Sequence, residues 1–190
     1  IMNATVLENL KMGKEKISHD KLDHALYVTA MERDISHLPG GLQTEIGEKG
    51  VNLSGGQKQR LALGRCFLQD PDIVLLDDPL SAVDVHTEKF LVDHLLLHAW
   101  KEKTVIIATH RLEALGQFDR ILFLNEGRIA GDGTLSELLM SSDVFKHFYS
   151  HHLEIQSMEQ NPIGLDTMAG ENAKPESRLM SDEDREQGAV

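Results

Sequence analysis

Cysteine is almost absent from this chain. Its one thiol, Cys66, has no partner for an internal disulfide, which fits a reducing compartment and a small core residue on a helix. Long apolar runs are missing too. No stretch approaches the ~18 residues that a membrane-spanning helix needs, so the chain supplies no span of its own. Basic charge is scarce: 19 Lys and Arg stand against 31 Asp and Glu, for a formal net charge of −12. Without basic clusters there is no footprint for nucleic acid. A nucleotide is not excluded, because its phosphates need only local positive potential and backbone N–H groups. No secretion signal stands near Ile1, and a start without methionine suggests a piece of something longer. What is present is a 41% hydrophobic composition over 190 residues, enough to bury a core and to exclude global disorder.

Periodicity predicts helices over 4–12 and 18–33, the second with Leu22, Leu26 and Ala30 at helical spacing and Ser18 as N-cap. Pro39, Gly40 and Gly41 break that pattern, and a longer helix is expected from Ser54 to Gln69. The turn Asp70-Pro71-Asp72 leads into a continuous apolar run at 73–76, and a second such run lies at 104–108. Continuous apolarity marks strands buried on both faces of a parallel sheet. Helices are expected at 86–99, 111–116 and 134–148, with a third strand at 120–124, a turn at Asn125-Glu126-Gly127 and a short return strand at 128–130. Strands alternating with helices imply an α/β fold with short crossovers. Residues 1–70 read as a mainly helical part and 71–153 as the core sheet part. From 154 to 190 the chain has nine acidic and three basic side chains and no aromatics, and is expected to be a disordered acidic linker.

Three places carry chemistry. Ser54, Gly55, Gly56 and Gln57 open a helix, where bare N–H groups and the helix dipole suit a phosphate; taken alone, the serine is equally an N-cap after a glycine turn. Asp77 and Asp78 end an apolar strand, the place for a hard oxygen ligand to Mg2+ and for a proton acceptor. His110 follows the strand at 104–108, with Asp84 between the two in the run Ser81-Ala82-Val83-Asp84. No histidine shows metal-ligand spacing.

The string Leu53-Ser54-Gly55-Gly56-Gln57-Lys58-Gln59-Arg60 resembles the signature motif of ATP-binding-cassette (ABC) ATPases. Ile73 to Asp78 resembles a Walker B strand, Ser81 to Asp84 a D-loop, and His110 a switch histidine. The Glu126-Gly127-Arg128 turn with Gly131, Gly133-Thr134 and Glu137-Leu138 is similar to the end of such domains. The resemblance spans residues 1–150. It implies a P-loop NTPase of ABC type, using ATP and Mg2+, on the cytoplasmic face of a membrane transporter. It assigns Asp77 to the metal, Asp78 and His110 to hydrolysis, and Ser54, Gly55, Gly56, Gln57 and Asp84 to nucleotide and interface. Its implied partners are a second nucleotide-binding domain and the transporter's transmembrane domains.

Two departures qualify these roles. Asp78 stands where the family usually has glutamate, and a carboxylate one methylene shorter holds water poorly, at a cost of about 100-fold in rate. The P-loop pattern G-x-x-x-x-G-K-[ST] is missing: around Gly13-Lys14 the flanking positions are Glu8 and Glu15. In the family the P-loop, the adenine stack and the Q-loop lie upstream, and Asn3-Ala4-Thr5 with Glu8-Asn9 resembles the stretch after the Q-loop. The chain is therefore expected to begin inside the domain and, alone, to bind MgATP weakly or not at all.

The contexts Glu45 to Asn52 and Asp77 to Asp84 look most like the C subfamily, which includes the multidrug-resistance-associated proteins, and like its first nucleotide-binding domain. Leu179-Met180, Glu183, Arg185-Glu186, Gly188 and Val190 resemble the segment before that subfamily's second membrane domain. Two functional readings stand: a transporter ATPase whose signature completes a partner's site, or a regulatory module that holds ATP without turnover. A soluble ABC protein acting on DNA or ribosomes lacks these contexts.

Overall fold

The structure is a computed structural model describing residues 1–48 and 50–160. Lys49, within the pre-signature run, and the tail resemblance at 179–190 lie outside the described residues. The chain divides into two units, Ile1–Tyr149 and Ser150–Val190.

The first segment is not helical from residue 4. Ala4–Thr5 (β1) pairs antiparallel with Glu45–Ile46 (β2) before helix α1 (Val6–Lys11) begins. The reason is a capping box: Thr5 Oγ1 accepts from Glu8 N at 3.1 Å and Glu8 Oε2 from Thr5 N at 2.9 Å. An N-cap residue must be extended, so the strand and the helix meet at Thr5.

The helix expected over 18–33 is two. Ser18 caps α2 (His19–Val28), and α3 (Glu32–Ser36) follows a break in which Ala30 has φ 52°. The buried hydroxyl of Thr29 bonds back to Ala25 O at 2.6 Å, a local alternative to continuing the helix. Arg60 Nη1 takes the Ala30 carbonyl, and the bend buries Met31 completely.

Helix α4 (Gly55–Gln69) joins two cores. Leu61 and Leu68, seven residues apart and so on one face, pack with Val6, Leu10, Leu26 and Met31. Leu63 faces the other way, toward Val74, Leu91, Leu95 and Trp100. Asn9, fully buried, ties α1 to this helix: its Oδ1 accepts from Arg65 Nη2 at 3.0 Å and from Met2 N at 2.9 Å. Lys14, the lysine of the failed P-loop pattern, instead donates to the last carbonyls of α4, Leu68 O at 2.9 Å and Gln69 O at 3.3 Å, where the helix dipole favours a cation. Cys66 is half-buried against the second core, and burial pushes its thiol up.

Strands β3 (Ile73–Asp77) and β4 (Thr104–Ala108) pair in parallel, in register from Ile73 with Thr104 to Asp77 with Ala108. Between them α5 (Val85–Leu91) continues as a π-helix over Val92–Ala99, closed by Trp100 N donating to Leu95 O. The apolar runs predicted strands covered on both faces. Only one face is covered: Val74 is buried, while Ile73, Leu75 and Ile106 are 61%, 72% and 57% exposed.

The expected helix at 111–116 is a single 3-10 turn, Leu115–Gln117. Strand β5 (Ile121–Asn125) joins no parallel sheet among the described residues. It forms an antiparallel hairpin with β6 (Arg128–Gly133), because the Glu126-Gly127 turn returns the chain with both residues in the left-handed region. The hairpin's covered face packs on α6 (Leu135–Ser141) and Phe145; Leu122, Leu124 and Ile129 stay exposed. Thr134 and Glu137 form a second capping box ahead of α6. The last helix among the described residues, α7, runs Asp143–Gln160, past the expected boundary at 153. The remainder of the expected linker, 161–190, lies outside the described residues.

Candidate functional site

The sequence-predicted residues gather in two neighbouring places. Asp77, Asp78 and His110 stand at the C-terminal edge of the parallel pair, where sheets of this kind present their ligands. Asp77 ends β3 on the uncovered face and is exposed. Asp78 follows with φ 45°, a left-handed backbone that a short polar side chain tolerates better than most. Its N–H donates to Ala108 O at 2.8 Å, extending the ladder by one rung. Asp78 Oδ1 lies 3.1 Å from His110 Nδ1, an ion-pair distance when the ring is protonated. That oxygen is shielded from solvent and makes no well-directed hydrogen bond.

The second place is the start of α4. Ser54 Oγ accepts from Gln57 N at 3.2 Å, and Gln57 Oε1 accepts from Ser54 N at 2.9 Å. This capping box settles Gln57 N, while the amides of Gly55 and Gly56 fall in the first turn, where a helix offers them no partner of its own. Gln57 is further held by Asp34, whose Oδ1 accepts from Gln57 Nε2 at 2.8 Å while its Oδ2 accepts from Arg60 Nη1 at 2.6 Å. The helical part thus aims the first turn of α4 through one carboxylate.

The loop from Asp78 to Asp84 lies directly against that first turn. A side chain at Gly56 would meet Ala82 O at 2.5 Å, so only glycine allows the approach. Asp84 caps α5, accepting from Thr87 N at 3.0 Å and Thr87 Oγ1 at 2.7 Å, and these bonds hold its carboxyl below the usual range.

Sequence reasoning missed three residues here. Gln59 Nε2 donates to Ser81 Oγ at 2.8 Å and Asp78 O at 3.1 Å, and its Oε1 accepts from Ala82 N at 3.1 Å. Arg111, next to His110, donates to Ser81 O and Val83 O at 3.3 Å each and pairs with Glu88 of α5. Glu88 is buried; desolvation pushes its carboxyl up, and Arg111 draws it back down. No local pattern points to these three, because every partner is supplied by another element.

Whether ATP and Mg2+ suit these residues has a divided answer. Among the described residues no group of three or more His, Cys, Asp or Glu side chains forms a metal site. Mg2+ takes one or two carboxylates with phosphate and water, and Asp77 and Asp78 would offer those carboxylates. The first turn of α4 suits a phosphate. The strand edge alone does not, because Asp77 and Asp78 bring only negative charge to it.

A parallel strand pair whose first strand runs into Asp77 and Asp78, a histidine just past the second strand, and a glycine-led helix against the intervening loop fit the later part of an ATP-binding cassette. Residues 2–81 match the ABC transporter family, and the chain belongs to that family. It is 42% identical to ABC transporter C family member 5 of Arabidopsis thaliana over 84% of its length, and 41% identical to ATP-binding cassette sub-family C member 3 of Rattus norvegicus over 85%. ABC transporter C family member 7 of Arabidopsis thaliana is 35% identical over the whole chain. The chain spans 10%, 11% and 14% of those three proteins respectively. None of its described helices is long and apolar enough to cross a membrane.

Proposed function

We propose that this chain is the C-terminal part of the first nucleotide-binding domain of a C-family ABC exporter, working on the cytoplasmic face of its membrane. Ser54, Gly55, Gly56 and Gln57 complete the ATP site of a second nucleotide-binding domain, and Asp84 lies at the shared interface. Asp77 would hold Mg2+ at this domain's own nucleotide site, and His110 would face the terminal phosphate. That site hydrolyses slowly, because Asp78 is one methylene short. The two ATP sites are therefore unequal, and the transmembrane domains take their energy mainly from the partner's site.

The observation that carries this reading is the closeness of Asp78 and His110, 3.1 Å apart at the sheet edge beside the loop that abuts the signature helix. The bare face of Ile73, Leu75 and Ile106 supports the fragment reading, since an upstream segment of the same domain would cover it. The same Asp78–His110 contact favours the second reading as well. A carboxylate engaged by the histidine is poorly placed to take a proton from water, so the site would hold ATP and gate its partner.

Asp78→Glu in the intact transporter separates the two. A rise in ATP turnover of about 10- to 100-fold at this site supports a catalytic site weakened by geometry. Unchanged turnover, with nucleotide still occluded, removes that reading and leaves the holding module.

A further inference from the structure

The loop that follows β3 is pinned to the signature helix by one side chain. Gln59 sits on the fifth residue of α4, and both ends of its carboxamide bond to residues 78–82: the amide nitrogen to Asp78 O and Ser81 Oγ, the oxygen to Ala82 N. Ser81 Oγ also donates to Asp78 O at 3.1 Å, closing the loop on itself. The consequence for Asp78 is specific. Its N–H is held by Ala108 O and its carbonyl by Gln59, so both sides of a left-handed residue are fixed. A backbone in that region persists only where its surroundings over-determine it, and the direction of the Asp78 carboxylate follows from the backbone.

We infer that Gln59 is a positioning residue for both ATP sites: it locks the Asp78–Ala82 loop to the signature helix, so that the residues facing this domain's nucleotide and those facing the partner's move as one body. This role rests on the proposed function. Packing alone would not require it. Gly56 already brings the loop against the helix, whereas Gln59 adds direction, through three bonds at 2.8 to 3.1 Å to one five-residue segment. The side-chain bonds of Gln59 go to Asp78, Ser81 and Ala82, so its effect on either site passes through the loop.

Two variants of the intact transporter test this, each with two readouts. Gln59→Leu removes every bond, and Gln59→Glu keeps an acceptor for Ala82 N and can accept from Ser81 Oγ, but sets an oxygen against Asp78 O. Amide hydrogen exchange at Ala82 should speed up about tenfold in Gln59→Leu and stay near wild type in Gln59→Glu. MgATP turnover should fall about tenfold in kcat in both, with KM within twofold, since the nucleotide contacts are intact. Unchanged Ala82 exchange in Gln59→Leu would show that the bond is not made and overturn the inference. Turnover within twofold of wild type in both variants would overturn it as well. So would faster exchange spread through α4 and β3, with kcat tracking the folded fraction. A wild-type transporter without ATP turnover would remove the proposed function itself and this role with it, while Ala82 exchange still reports whether the brace exists.

Discussion

Replacing Gly56 by alanine should unseat the D-loop even when no nucleotide is present. The added Cβ would lie 2.5 Å from Ala82 O and 3.5 Å from Ala82 C, about 1 Å short of ordinary contact with that oxygen. The obstacle is backbone, and the loop cannot simply rotate away. Gln59 holds Asp78, Ser81 and Ala82, and Arg111 holds Ser81 and Val83. Overpacking of this kind costs about 1–3 kcal/mol. At ~2–4 °C per kcal/mol for a chain of this size, Tm should drop by several degrees. Gly55→Ala is the control. Its Cβ would meet only Ala82 Cβ at 3.5 Å, an ordinary contact, and alanine in a helix gains about 0.5–1 kcal/mol over glycine. Thermal denaturation of the nucleotide-free chain, followed by circular dichroism, should therefore show a loss for Gly56→Ala and none for Gly55→Ala. Equal losses, or no loss for Gly56→Ala, would refute the close approach as the reason for glycine here and leave only phosphate access to explain both.

Titration of the purified 190-residue chain with MgATP in a calorimeter should give no saturable heat up to millimolar nucleotide, because the sequence has no P-loop pattern and Lys14 is engaged at the end of α4; saturable micromolar binding would sink that view. A second expectation concerns acid. Glu8 and Glu137 sit in capping boxes, and hydrogen bonds from Thr5 and Thr134 hold both carboxyls below their ordinary value. A lowered folded pKa adds stability that is present above the unfolded value and lost as pH falls through the folded one. Melting curves from pH 6 down to pH 3 should therefore fall less steeply for Glu8→Gln/Glu137→Gln than for wild type, since glutamine accepts the same bonds without titrating; parallel curves would count against the caps.

Much of this architecture is legible wherever a local rule governs. Ser18 and Ser54 announce helix starts because a cap needs only its own next three residues. The strand at 104–108 and the edge positions of Asp77, Asp78 and His110 follow from apolar runs of fixed length. The places where sequence reading fails are set by distant partners. The helix over 18–33 breaks at Ala30, where Arg60 captures a carbonyl and Met31 is drawn into a core formed with α1 and α4. The strand near 120 reads into the parallel sheet; the return strand after Asn125-Glu126-Gly127 is legible from that local turn, but its pairing with Ile121–Asn125 alone is not. The contacts of Gln59, Arg111 and Glu88 are not legible, although Gln59 stands in the signature string, because a side chain's partners across 19 to 30 residues have no local signature.

The apolarity of the two parallel strands carries a further consequence. Runs such as those at 73–76 and 104–108 are written for burial on both faces, yet Ile73, Leu75 and Ile106 face outward. Sequence and structure agree once the sheet is read as half of a core. The electrostatics of the same edge point the same way. Asp77 and Asp78 adjoin at this edge; on the proposed function phosphate would lie there, and like charges about 4 Å apart repel by ~1 kcal/mol in water and ~4 kcal/mol near a protein surface. Mg2+ and the cradle of amides and lysine that a P-loop provides would reverse that sign. An uncovered apolar face and an acidic edge with no phosphate loop over it, on the same two strands, are thus one deficit seen twice. A single upstream segment, folding over Ile73, Leu75 and Ile106 and ending in a phosphate loop, would remove both.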